Sequence, residues 1–298
     1  MNVRELFYGC RYFIGYRIRN KKDAKSIKEG KWTLFKPLLA NWYADPFPFE
    51  WNSRFFIFAE KINWWNRKGS IVVCEIKEHT VTEFVEILVE PFHLSFPNVF
   101  EYNDEFYMIP ESGSNGDIRL YRAIDFPYKW TFDRVLKKGA NFVDTSFLRP
   151  IKEGKTVLHS YDWDGRKSYY FSFDLSKLEL AQLPDNSGMM NERSGGNCFV
   201  LDGVTYRVLQ DCSNDYGEKL IIRQIRNSDF EDGLASDSEF VDILPADLNL
   251  DGNRSPLRCH TYNCSEHLEV VDFLEERFIW YGPISSIHNK YVYEKQKK

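Results

Sequence analysis

Asp45, in NWYADPFPFE, and Asp144, in FVDTSF, each stand at the head of a short apolar run of strand character. Other side chains able to move a proton or hold a polar ligand fall in comparable settings: Glu60, Glu111, Gln210 and Asp211, together with Arg193 in NERSGG and His260 in CHTYN. Carboxylates brought close together drive one another's pKa values apart, leaving one ionised as a base and another protonated as an acid. Making or breaking a glycosidic bond needs such a pair. Trp42, Tyr43, Phe96 and Tyr262 lie close to these positions in the chain and offer flat faces on which a sugar ring can stack. Each residue also has a plain structural role open to it. Asp45 precedes Pro46 and can simply begin an extended segment. Asp144 can cap a turn through Thr145 or Ser146. Glu60 can pair with Lys61 or Arg67, Glu111 can be solvated at a strand end, and Arg193 can serve as a structural ion-pair partner. Asp211 and His260 can lock neighbouring elements together, while Tyr121 and Trp130 read as core.

Whether these residues meet depends on the elements that carry them, and those elements repeat. ADPFPFEWNSRFFIFAEK, SFPNVFEYNDEFYMIPES, VDTSFLRPIKEGKTVLHS, GGNCFVLDGVTYRVLQDC and CHTYNCSEHLEVVDFLEE align on Asp45, Phe96, Asp144, Gly195 and His260. Each reads as a short strand, a polar turn and a second strand with alternating apolar residues. A third strand follows in four of them (SIVVCEI, DIRLYRAI, SYYFSFDL, KLIIRQI). KWTLFKPLL and KWTFDRVLKKG look alike as fourth strands ahead of Asp45 and Asp144. Four short antiparallel strands in each of five units, with a period of about fifty residues, describe an all-β fold, a five-bladed β-propeller. A β-sandwich gives no reason for that period. The strand around Trp32 precedes the first complete unit and the last unit lacks an outer strand. The ring is therefore expected to close with an N-terminal strand completing the fifth blade, which leaves no open edge. The expected division is an N-terminal extension over 1–29, the propeller over 30–285 and a basic tail over 286–298. In a blade, the start of the first strand and the end of the second share one face near the axis, so the acidic residues are expected at one mouth.

Composition excludes other classes. The 39 basic and 44 acidic residues give a net charge of −5, so there is no basic footprint for nucleic acid. Six cysteines without CxxC or zinc-finger spacing read as reduced thiols. Arg4, Arg11, Arg17 and Arg19 interrupt the N-terminal stretch, so no secretory signal is read, and no apolar run reaches the length of a membrane span. A cytoplasmic protein is expected. No glycine-rich phosphate loop or dinucleotide fingerprint occurs. No cofactor is expected: His260 and the carboxylates supply ligand types that suit Ca²⁺ in the central channel, but their spacing carries no ligand signature.

Taken jointly, ADPFPFE, HLSFPNVFEYNDEFYMIPES, LYRA with FPYKW, VDTSF and YRVLQDCSNDYG followed by HT resemble the propeller domain at the N-terminus of plant glucosamine inositolphosphorylceramide transferases. Similar domains in bacterial surface-polysaccharide clusters, some fused to formyltransferase-like domains, extend the resemblance. It implies a glycan or activated-sugar substrate and glycosyl transfer in polysaccharide or glycoconjugate biosynthesis, with Arg193 or His260 neutralising a donor phosphate. It equally allows a non-catalytic glycan-binding propeller that assists a partner glycosyltransferase or formyltransferase. More distantly the chain looks like the five-bladed glycoside hydrolases of family 43. That likeness implies an inverting mechanism with Asp45 as general base and Asp144 as orienter and pKa modulator. The acid position of that family does not carry over, because the corresponding stretch here is NERSGGN. Glu192 is out of register there, and Glu111 is the substitute acid on geometric grounds.

Overall fold

Two-residue turns set the first hairpins. Asn52 and Ser53 have φ of 50° and 61°, and Asn103 and Asp104 have 52° and 61°, the left-handed pair that type I′ turns require. The computed structural model describes residues 8–18, 27–28, 30–35, 41–62, 67–77, 80–151, 154–184, 192–201, 203–225, 240–250, 256–278 and 284. Its strands make five small sheets in a ring, the expected five-bladed β-propeller. The first blade is Trp42–Trp51, Arg54–Ile62 and Gly69–Lys77, with Thr80–Val81 and Val85–Leu88 outside. The second is Ser95–Tyr102, Glu105–Glu111, Asp117–Asp125 and Lys129–Lys138, and the third is Phe142–Phe147, Lys155–Asp162, Lys167–Asp174 and Glu179–Gln182. In the fourth, Arg193–Ser194 and Phe199–Leu201 share the inner position, followed by Val204–Asp211, Lys219–Ile225 and Phe240–Ile243.

The fifth blade starts with Tyr262–Cys264 and Leu268–Phe278 and takes its outer strands from the other end of the chain. The strand around Trp32 (Lys31–Leu34) is its fourth strand, as expected, but it docks on Tyr8–Ile18, which pairs along its whole length with Leu268–Phe278. An extension over 1–29 is therefore not separate from the ring, since residues 8–18 are the third strand of the closing blade. The arginines that disguise this strand in the sequence are accommodated by partners. Arg17 Nε donates to Glu269 at 2.6 Å in a buried pair, and its guanidinium lies 4.1 Å from the Trp32 ring. Tyr262 donates its hydroxyl to the other Glu269 oxygen at 2.8 Å. The tail over 286–298 lies outside the described residues.

Both faces of a blade are covered by its neighbours, so central strands such as RFFIFAEKI are buried over a continuous run rather than alternating. Phe47, Phe58 and Phe96 fill the seam of the first two blades; Phe100, Phe147 and Phe171 that of the second and third; Trp32, Leu220 and Phe273 that of the fourth and fifth. The seam between the third and fourth has a smaller apolar cluster of Leu148, Tyr170 and Ile225, beside buried His159, Ser194 and Arg207. On the axis, asparagines tie the inner strands together. Asn98 and Asn197 exchange amide hydrogen bonds at 2.9 and 2.8 Å, Asn98 also donates to Thr145 O, and Asn263 accepts from Asn197 N and donates to Pro46 O.

The buried Arg17–Glu269 pair anchors the closing strand, and removing one partner leaves a charge stranded. Arg17→Ala should lower unfolding free energy by about 3–5 kcal/mol, read from denaturant melts. A loss under about 1 kcal/mol, the scale of an exposed pair, would show that the seam does not depend on it.

Candidate active site

The register position that aligns the repeats is a backbone bulge. Strand pairing slips between Ala44 and Phe47, between Ser95 and Asn98, and between Val143 and Ser146. Asp45, Phe96 and Asp144 sit in these slips with left-handed φ of 49°, 47° and 52°. That conformation is costly for a residue with a side chain, and bulges of this kind re-aim side chains next to functional sites. The bulges of the first and third blades carry buried aspartates that line one cavity near the axis. Phe96 at the equivalent bulge instead packs into the core, 4.8 Å from the Phe47 ring.

The central cavity has a volume of about 240 Å³ and is lined by Asp45, Glu60, Glu111, Asp144 and His260, with Trp42, His93, Tyr12 and Tyr216 among the others. Asp45 Oδ1 accepts the Thr261 hydroxyl at 2.8 Å and lies 3.3 Å from His260 Nε2. Behind them Asp272, fully buried, accepts the backbone N–H groups of Asp45, His260 and Thr261 and the His260 Nδ1–H, all at 2.9–3.1 Å. His260 therefore bridges two carboxylates. Burial works against its charged form, but Asp272 and Asp45 outweigh it and push the imidazole up to about 9. Burial raises the Asp45 carboxyl to about 8, more than the neighbouring His260 charge offsets. Glu111 is raised by burial and then by Asp144, and its one hydrogen-bond donor is the Asp144 N–H at 3.2 Å. Two side-chain donors address the Asp45 oxygen, whereas Glu111 receives a single long backbone bond. Burial raises both carboxyls; hydrogen bonds to a carboxylate favour its ionised form, so the donors around Asp45 suit it to a base better than the single bond suits Glu111.

Asp144 is held differently. Arg193 Nε and Nη2 both reach its Oδ2 at 2.6 Å, and the guanidinium lies 4.9 Å from the Trp163 ring and 5.0 Å from the Tyr216 ring. Arg193 thus reaches Asp144, and Glu192 is taken up by a two-pronged pair with Arg223 at 2.9 and 2.7 Å. Glu60 Oε1 lies 2.9 Å from His93 Nε2, while His93 Nδ1 accepts the Gly69 N–H at 3.0 Å. The proton of the neutral imidazole therefore sits on Nε2, facing Glu60.

Not every expected residue joins this cavity. Gln210 Nε2 donates to Ser194 O at 2.8 Å, and Asp211 accepts the Ser213 N–H at 2.9 Å. Both line a larger cavity of about 590 Å³ between the third and fourth blades. Of the four aromatics expected near the mouth, Trp42 alone lines the central cavity; Tyr43, Phe96 and Tyr262 are buried in the core. Tyr121 and Trp130 are core, as read. Asp272, Thr261, His93, Tyr12 and Tyr216 were not singled out from the sequence. Tyr216 stands on the turn after Asp211, where Gly217 has φ of 59° and a Cβ would meet His260 Cβ at 2.6 Å. A glycine there lets the turn approach His260.

Asp45, His260 and Asp272 are close enough together to suggest a metal. Their donor set does not fit Ca²⁺, which takes six to eight oxygens: the Asp272 oxygens are occupied by the four donors above and His260 Nδ1 points at Asp272. His260 carries a proton in the fold that the unfolded chain releases near its ordinary pKa of about 6.5. Its stabilising contribution is complete below that pH and lost as pH climbs through about 9. His260→Gln should flatten the fall in denaturation midpoint between those pH values; an unchanged pH slope would show that the imidazole is not held charged.

A family model described as Glucosamine inositolphosphorylceramide transferase 1, N-terminal, matches residues 35–240. Glucosamine inositolphosphorylceramide transferase 1 of Arabidopsis thaliana is 31% identical over 244 residues, covering 74% of this chain and 31% of that protein. The chain thus spans under a third of that relative's length. Among solved structures, an α-L-arabinofuranosidase from Podospora anserina in complex with cellotriose aligns with a TM-score of 0.55 at 12% identity, over 90% of this chain and 97% of that one. A Bacillus subtilis arabinanase aligns at 0.51 and 12% identity, over 79% and 94%. At such identities the likeness is one of fold. The family match and the Arabidopsis relative go further: this chain belongs to the family of the N-terminal domain of glucosamine inositolphosphorylceramide transferase 1.

Proposed function

We propose that the central cavity acts on a glycosidic bond, with Asp45 as general base, Glu111 as general acid and Asp144 as the residue that tunes Glu111. The observation that carries this reading is the contrast in hydrogen-bonding between the buried Asp45 carboxyl and the part-buried Glu111 carboxyl, which line one cavity. Asp45 takes the proton of an attacking hydroxyl, from water or from an acceptor sugar, as that oxygen bonds to the anomeric carbon. Glu111 gives its proton to the leaving oxygen as the old bond breaks. Asp144, paired with Arg193, raises the proton affinity of Glu111.

A phosphate-linked donor is served less well. Its leaving group needs a cation more than an acid, and both cations expected for it are engaged: Arg193 with Asp144, and His260 between Asp45 and Asp272. Sugar-to-sugar transfer and inverting hydrolysis remain the two outcomes of one acid–base step, distinguished by which hydroxyl enters. A second reading, a glycan-binding domain that supports chemistry carried out elsewhere, is favoured by the locked Arg193–Asp144 pair.

Oligosaccharide turnover should fall at least about a hundredfold in Asp45→Asn and in Glu111→Gln, the usual weight of a general acid or base. Titration calorimetry should show sugar binding retained in both. Unchanged turnover in Asp45→Asn removes the assignment. Binding without turnover in the unaltered protein, across oligosaccharides and nucleotide sugars, selects the binding reading.

A further inference from the structure

Five side chains form a continuous strip between the two cavities. Tyr12 and His260 have ring centroids 4.5 Å apart, His260 and Tyr216 5.5 Å, and Tyr216 and Trp163 6.4 Å, with the Arg193 guanidinium against the last two. Tyr12, His260 and Tyr216 line the central cavity; Arg193 and Trp163 line the larger one. Trp163 and Arg166 stand on the turn joining Lys155–Asp162 to Lys167–Asp174. Tyr216 stands on the corresponding turn of the fourth blade, fastened to the fifth by an Arg258–Asp215 ion pair. Trp163 is 47% exposed at the cavity edge, and its backbone N–H donates to Asn141 O at 2.9 Å.

Size separates the two cavities. Pockets for ordinary small ligands run from about 300 to 1,000 Å³. The central one, at about 240 Å³, falls below that range. Its neighbour, at about 590 Å³, lies well inside it. The smaller space suits one sugar ring at the reacting position, and the larger suits further units. Its lining offers what a sugar chain uses: a flat indole face, the Asp211 and Glu192 carboxylates as acceptors of hydroxyl hydrogen bonds, and the Arg166 guanidinium as a donor.

We infer that the cavity between the third and fourth blades is a second glycan subsite, which holds successive units of one sugar chain whose reacting unit occupies the central cavity. This rests on the reading that the central cavity takes a sugar. It adds that the substrate is an extended chain, running across the Arg193–Asp144 pair, with the unit beyond the reacting bond stacked on Trp163.

The test is a length series. Sugars that bind the full chain on an array of defined oligosaccharides are retested by calorimetry from the monosaccharide upward, against unaltered protein, Trp163→Ala and Arg166→Ala. Affinity should rise at least tenfold as units are added. Trp163→Ala should abolish most of that gain while leaving monosaccharide affinity within about twofold, and Arg166→Ala should diminish it. Affinity that is flat with length, or a gain that survives in Trp163→Ala with its melting midpoint intact, overturns the second subsite and leaves the central one standing. An array without any bound sugar overturns both.

Discussion

One buried carboxylate joins the closure of the ring to its chemistry. Asp272, in the second strand of the last blade, accepts backbone hydrogen bonds from Asp45 in the first blade and from His260 and Thr261 in the last, together with the His260 ring. A lone buried carboxylate is expensive, and full occupancy of its oxygens by donors is what makes it tolerable. The same contacts hold Asp45 in its left-handed conformation, which costs on the order of 1–3 kcal/mol if unsupported. The two ends of the propeller are thus joined at the point where Asp45 meets the central cavity. Glu111 repeats the device two interfaces away: from the end of a second strand it accepts the N–H of Asp144, the bulge residue of the next blade. In both cases a carboxylate steadies the strained start of the neighbouring blade.

That geometry explains what was legible in the sequence. The repeat, the turns and the register residues could be read because the hairpins of the first two blades are the same length, so Glu60 and Glu111 fall at equal spacing from Asp45 and Phe96. The closing blade has a shorter hairpin. Counting from His260 at the same spacing lands on Glu275, and Asp272 escapes notice. Tyr8–Ile18 was hidden because Arg11 and Arg17 make it look too polar for a buried strand, and nothing local announces that Glu269 waits at the far end of the chain. Gln210 and Asp211 were placed at the correct end of their strand but assigned to the wrong cavity. Strand position fixes the face of the ring; it does not fix which side of an inner-strand bulge a side chain points to. Asn98 and Asn197 hold equivalent places in their repeats, two residues past the register position, and that repetition was the available clue to the axial hub.

Charge in the site is arranged so that few groups are free to change partners. Arg193 is committed to Asp144, Arg223 to Glu192 and His260 to two aspartates. Buried charges arranged this way add little net stability compared with apolar packing, yet removing one partner is costly. Asp45 and Glu111 are both raised by burial, and of the two Glu111 is the one met by a single weak donor. A proton-donating role needs that combination: a group kept neutral by its surroundings, whose proton is not already spent on a structural bond.

Packing decides where such a site can open. The seams of the first and second, second and third, and fourth and fifth blades are filled by interdigitating aromatic and branched side chains, and close-packed interiors leave no room for a ligand. The seam between the third and fourth blades has the smaller apolar cluster and a set of buried polar groups, and the larger cavity lies there. Arg193 sits at the boundary, its charge paired toward the axis and its guanidinium in contact with the Trp163 and Tyr216 rings. A filled seam at this point would stabilise the ring but isolate the acidic pocket behind it. The polar seam gives up apolar contact and in return places a broad, partly aromatic cavity directly beside the carboxylates.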